Sequence, residues 1–427
     1  MTVTTAVVVL PRRVAVWASG RAVARNSVTG IELACAVCAA VWFSAGTPLT
    51  ALAGGVALGG GYLARRVGGQ LTMGAYDGWL AVVCALAGEL AVYEGLAAGA
   101  APGQNRVWAL ATAAAILLGM RKVARLARPA VADEHEPQPG DEHLSPGRAL
   151  AALAGRLPGL PAGERAVVIT VTAVFYGPRM SLLVLIWWGA AALAWTIAGP
   201  RAGNGWSRAA NRAAAPLCPA DIAVARDDGP LARFAGAVVR GQLVPLPPAV
   251  AGLTATVLLA TLGLRDLAGL VLLTPVAAML LAAPGSAHPH DGPLDWLTPL
   301  VIQAGQYVYL AALGFAKGVP APLVFALIGL VTLRQLDAAY RGRHLLPAGD
   351  PRGGIGWEGR MLVAGVGAML GVATLSYLAL TVYLLWLLCS GSLASWLAVR
   401  AHPRGVQRPS LGSGAPGCLS SAEGAEG

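Results

Sequence analysis

The chain has 427 residues, of which 56% are hydrophobic and only 12% charged, and its mean hydropathy is +0.62. A soluble domain carries about a quarter charged residues, so a water-exposed fold over the whole length is excluded. The 31 Lys and Arg residues outnumber the 21 Asp and Glu, giving a net charge of +10. In so apolar a chain this reads as charge on a membrane surface, not as a nucleic-acid footprint.

In chain order, Thr2–Leu10 is apolar, but Arg12, Arg13, Arg21 and Arg25 follow it, the reverse of a secretory leader. Residues 11–29 are therefore expected to form a basic amphipathic helix on the membrane surface. Apolar runs predict six spans, near 30–46, 48–64, 78–98, 107–120, 165–177 and 180–199. A second six follows near 248–264, 267–283, 297–315, 320–336, 361–376 and 378–398. Most are about the length that a hydrocarbon core of roughly 30 Å requires. Their Leu/Ala-rich character without alternation points to helices and away from a barrel. The expected fold is thus an all-α polytopic membrane protein of about twelve helices in two groups of six, preceded by the amphipathic segment. Its units are 1–29, a membrane domain 30–200 containing a polar loop 127–163, a cytoplasmic linker 201–247, a membrane domain 248–400, and a disordered tail 401–427.

Charge asymmetry orients this arrangement. With both termini cytoplasmic, only Arg106, Arg179, Arg265 and Lys317 fall on outer loops, while clusters such as Arg121, Lys122, Arg125 and Arg128 fall inside. The expected location is the cell membrane, with membrane lipids as partners. Cys35 and Cys38 share a helix face, but without a second Cys pair or a nearby His they read as small packing residues.

Residues 20–200 resemble the CDP-alcohol phosphatidyltransferases. Arg25-Asn26-Ser27-Val28-Thr29 is similar to that family's entry into its first span. Gly60-Gly61-Tyr62-Leu63-Ala64-Arg65 resembles its Asp-Gly-x-x-Ala-Arg segment, and GWLAVVCALAGELAVYEGLA (78–97) resembles its third span. ERAVVITVTAVFYGPRMSLLVLIWWGAAALAWTIAG (164–199) is similar to the last two spans of actinobacterial members. Residues 221–400 resemble an uncharacterised membrane domain fused behind such transferases in actinobacteria, through RDDGPLARFAGAVVRGQLVPLPP, HPHDGPLDW, QAGQYVYLAALG and GWEGRML.

The resemblance implies phospholipid biosynthesis, a CDP-lipid ligand, Mg²⁺ or Mn²⁺, and a homodimer through the first group of helices. The family's carboxylates clamp metal on a diphosphate, because hard cations need several oxygens. That set is missing here. The first Asp pair falls at Ala57 and Gly60, and the second at Ala81 and Ala85 or, in another register, at Gly78 and Val82. Asp77 lies nearby but at neither expected position, and Glu89 and Glu94 are the carboxylates within the third span. No residue is assigned a catalytic role and no cofactor is expected, while Gly61 and Arg65 are retained as binding residues for a lipid or nucleotide-lipid.

Asp227-Asp228-Gly229-Pro230-Leu231-Ala232-Arg233 imitates the family motif, but the second Asp pair does not follow. It reads as a solvated loop capping the next helix. His288, His290 and Asp291, with Asp295, form a weak metal-like cluster, for which a polar cytoplasmic turn is the plainer reading. Polar residues within spans are costly, which singles out Gln303, Gln306 and Tyr307 on one face of the ninth span. Arg334 and Asp337 are spaced to pair. Together with Arg341, Arg343 and the Trp357-Glu358-Gly359-Arg360 segment, they outline a basic cytoplasmic pocket for a phosphate headgroup, or else plain anchoring of the positive side. Two other readings stay open: an enzyme acting through the His288 loop or the Arg341–Arg360 region, and a lipid or small-molecule transporter.

Overall fold

The computed structural model describes residues 25–68, 75–100, 105–127, 162–198, 226–239, 244, 246–262, 264, 267–284, 294, 296–344 and 354–401. Among them all regular structure is helical. In chain order the helices are α1 (Arg25–Ser44), α2 (Pro48–Gly68), α3 (Ala75–Ala98), α4 (Asn105–Ala127), α5 (Ala162–Tyr176) and α6 (Pro178–Ala198). They continue with α7 (Pro230–Val239), α8 (Leu246–Leu262), a 3-10 turn (Gly269–Leu273) leading into α9 (Thr274–Leu280), α10 (Leu297–Ala316), α11 (Ala321–His344), α12 (Gly356–Met369) and α13 (Ala373–Ala401).

Seven of these, α1, α3, α4, α6, α10, α11 and α13, are long and apolar enough to cross a membrane. α2 has the length, at 21 residues, but its glycines together with Arg65 and Arg66 dilute its hydropathy. α5, α8 and α12 have 15, 17 and 14 residues. The span expected at 267–283 is not one helix. Gly269 takes a positive φ of 63°, and Pro275 restarts the helix after the 3-10 turn because it supplies no N–H for the preceding turn. Residues 25–29 of the expected surface helix belong to α1; the rest of it lies outside the described residues, as does the tail beyond Ala401.

Small residues set the helix spacing in the first group. A Cβ on Gly95 would sit 2.3 Å from the Ala40 carbonyl oxygen, and one on Gly88 would sit 2.8 Å from Ala36 Cβ, so α1 and α3 touch almost backbone to backbone. Cys35 belongs to the same kind of seam, facing Gly60 and Gly61 of α2.

The two groups of helices share one core, with α3 and α4 packed on α10 and α11. Trp79 of α3 donates its indole N–H to Asp337 of α11 at 2.8 Å, and Trp108 of α4 meets Phe325 of α11 edge to face with centroids 5.9 Å apart. Gly119 of α4 leaves room for Thr332 and the Tyr307 hydroxyl, which a Cβ there would meet at 2.9 and 3.2 Å. Large apolar side chains such as Leu49, Val56, Phe175, Trp187, Leu262, Leu375 and Trp386 point outward. So much exposed apolar surface suits hydrocarbon and not water.

Candidate functional site

Helices α1, α2, α3 and α5 line a small cleft. Its walls are largely apolar, with Ala36, Leu58, Val92 and Ile169 among them, and two ion pairs stand inside it. Arg65, in the last turn of α2, donates from Nε to Glu32 of α1 at 2.6 Å. Arg165, in the first turn of α5, makes a two-pronged contact with Glu89 of α3, at 3.0 and 2.6 Å. Bidentate geometry and low polarity make the second pair the more rigid one. The Arg65 side chain keeps 36% of its surface exposed, against 17% for Arg165. Gly61 lines the cleft and is buried, and a Cβ there would meet Cys35 Cβ at 3.3 Å, so its direct work is to seat α2 on α1.

Glu32 and Arg165 escaped the sequence reading. The signal was present, since an ionisable residue in or at the end of an apolar span calls for a partner. A divalent cation does not fit this donor set. Its two carboxylates are each bound to arginine, and the lining offers no further Asp, Glu or His. Among the described residues no three His, Cys, Asp or Glu side chains come together as a metal site.

Beside the cleft runs a groove of about 1140 Å³ between α2 and α5, lined by Leu52, Val56, Gly59, Val167 and Val171. Tyr62 and Ala166 line both spaces. An added Cβ at Gly59 would meet nothing, whereas one at Gly55 would strike Thr170 at 2.2 Å, so the two helices cross at Gly55 and are open near Gly59.

The second polar assembly lies in the C-terminal half. The Asp227–Arg233 stretch is not a solvated loop. Arg226 is fully buried, pairs with Asp228 at 2.8 Å and donates to the Ala282 carbonyl at 3.2 Å. Asp228 also accepts from the Trp357 indole at 2.9 Å, and Asp227 accepts from Arg360 at 2.6 Å. Asp227 turns the chain with a φ of 53°, a conformation that aspartate tolerates better than most side chains. The backbone N–H groups of Gly229 and Ala232 donate to Glu358, both at 3.1 Å, so a carboxylate from α12 caps the N-terminus of α7. Gly229 and Gly356 meet so closely that a Cβ on Gly356 would lie 2.1 Å from the Gly229 nitrogen. Glu358 precedes the apolar run that starts at Met361. Burial pushes its carboxyl above the usual carboxylate range, the N–H donors of Ala232 and Gly229 work against that rise, and the nearby Asp228 charge adds to it.

Gln303 and Gln306 are both fully buried. Gln306 accepts from Arg360 at 3.3 Å, which ties it to the Asp227 cluster. Gln303 accepts from the Gln335 amide, which in turn accepts from the Tyr307 hydroxyl at 2.7 Å. The side-chain nitrogens of both glutamines and Nε of Arg360 are buried without an acceptor. Arg334 pairs with Asp337 at 3.2 Å, as the spacing predicts.

Arg341 and Arg360 do not form the open basic pocket expected from the sequence. Arg341 is 4% exposed, bound to Asp337 at 2.6 Å and to the Gly391 carbonyl at 2.8 Å, and stacked 4.8 Å above the Trp79 ring. Arg360 is 2% exposed and serves a different carboxylate. The sequence reading missed Trp79 as the partner of Arg341 and Asp227 as that of Arg360, because those contacts join residues far apart in the chain. The side chain of Arg343 and all of His288, His290 and Asp291 lie outside the described residues.

Residues 211–406 match the model of a family described as a family of unknown function (DUF5941). That range contains the buried assembly from Arg226 to Arg360 and excludes the cleft between α1, α2, α3 and α5. No curated protein and no solved structure matches the chain.

Proposed function

We propose that the chain is an integral membrane protein whose N-terminal half binds a phosphate-bearing lipid, of the CDP-lipid class, without metal-dependent phosphotransfer. The observation that carries this is the cleft between α1, α2, α3 and α5, where arginines 65 and 165 stand among largely apolar walls beside an apolar groove. Guanidinium groups match phosphate oxygens, and the groove between α2 and α5 offers acyl chains an apolar surface. The resemblance of residues 20–200 to CDP-alcohol phosphatidyltransferases points to the same ligand class. The replacement of that family's aspartates removes the means of holding a metal on the diphosphate.

In this reading all twelve apolar segments span or enter the bilayer, both termini face the cytoplasm, and the unit is a homodimer through the first six helices. The charged ends of α2 and α5 then face the same, basic side of the membrane.

Purified protein is expected to bind CDP-diacylglycerol equally well with and without Mg²⁺, and to release no CMP when Mg²⁺ or Mn²⁺ and a panel of alcohols are supplied. Arg65→Ala, at the more exposed of the two pairs, is expected to weaken binding about tenfold, the worth of one charge-assisted hydrogen bond. Robust metal-dependent CMP release, or binding indifferent to Arg65, refutes the proposal.

A further inference from the structure

α7 is ten residues long, about 15 Å, which is half of what a bilayer crossing needs. One face is settled: Ala232 and Gly236 are buried, and the helix packs on α12. The opposite face carries Leu231, Phe234 and Val238, at helical spacing, with exposures of 48%, 71% and 64%. Polar residues usually occupy such a face on a helix in water.

The position of α7 is fixed with unusual firmness for so short a helix. Glu358, in the first turn of α12, holds its N-terminal N–H groups, while Asp227 and Asp228, just before it, are tied to Arg360, Trp357 and Arg226. These partners sit at the start of α12 and, through the Arg226 contact with Ala282, just past the end of α9. With both helices read as entering the bilayer, that is the level at which they leave the hydrocarbon. Farther along α12, Val363 and Val366 are exposed, as is Leu370 just past its end. The helix that carries α7 thus has exposed apolar side chains of its own, of the kind that lipid covers. Three side chains also offer far less area than the roughly 800 Å² per partner of a stable protein interface.

We propose that α7 is an interfacial helix, with Phe234, Leu231 and Val238 inserted at the boundary of headgroups and acyl chains, and that the buried ion pairs clamp it to α12 at that depth. Arg233, exposed beside the stripe, lies on the edge where such helices carry their cations. The inference rests on the chain spanning a bilayer and is independent of what the cleft binds.

The test places the photoreactive residue benzoylphenylalanine at Phe234, in the full chain in vesicles of phosphatidylethanolamine and phosphatidylglycerol. A second protein carries it at Val382, which is 58% exposed on the span α13. Mass spectrometry after illumination reads the adducts. Lipid adducts at 234 within about threefold of those at 382 support the proposal, since both positions would then lie against lipid. Lipid adducts at 382 alone, with position 234 cross-linked to another part of the chain, to a second protein or to nothing, overturn it. Absence of lipid adducts at both positions overturns the membrane-spanning reading, and this inference with it.

Discussion

Asp337 shows how much one carboxylate can organise. It is 2% exposed in its side chain and accepts from Arg334, Arg341 and Trp79, the last of which is 258 residues away in sequence. Removing one member of a buried ionic cluster leaves the others charged and unpartnered, a loss of about 3–5 kcal/mol. Asp337→Asn is expected to lower the thermal unfolding midpoint in detergent by many degrees, and Trp79→Phe by less, since it forfeits one neutral donor worth about 1 kcal/mol. A double variant whose loss equals the sum of the two singles would show that the indole and the carboxylate do not act together. At this scale the sequence was informative where geometry is local. The spacing of Arg334 and Asp337 implied their pairing, and the glutamines of the ninth predicted span implied a buried polar face. It misled at Asp227 and Asp228, because a stretch with linker-like composition gives no hint that α12 supplies it with an arginine, an indole and a carboxylate.

The helices themselves follow from hydropathy, yet their lengths do not. Twelve apolar segments were legible and each overlaps a helix, but only seven helices are long and apolar enough to cross a membrane. The 361–376 segment runs over the break between α12 and α13, and the 267–283 segment breaks at Gly269 and Pro275. Average apolarity is blind to these local backbone demands. Glycine patterning in α2 and α3 gives the element-scale prediction. Gly59 faces open space, so Gly59→Ala is expected to stabilise by about 0.5–1 kcal/mol through helix propensity alone. Gly95 sits against the backbone of Ala40, so Gly95→Ala is expected to destabilise by about 1–3 kcal/mol by forcing α1 and α3 apart. Unfolding followed by tryptophan fluorescence separates the two. Equal shifts in one direction would contradict the helix contacts described.

At the scale of the whole molecule, composition suggested two membrane domains joined by a linker, and the structure shows the two groups of helices built on a common core. α3 and α4 meet α10 and α11 through Trp79, Trp108 and Gly119, contacts that no run of apolar residues announces. If residues 1–210 and 211–427 are expressed as separate chains in one cell, they are expected to co-purify through a tag on either one. Expressed alone, each would expose the apolar contact surface and accumulate poorly. Independent, well-behaved halves that fail to associate would rule out the shared core.

The indole of Trp79 reaching Asp337 has a consequence for grafting. A half that depends on its neighbour for a hydrogen bond in its own interior cannot be exchanged like a cassette. A foreign front half grafted onto this back half would need its own donor opposite the carboxylate.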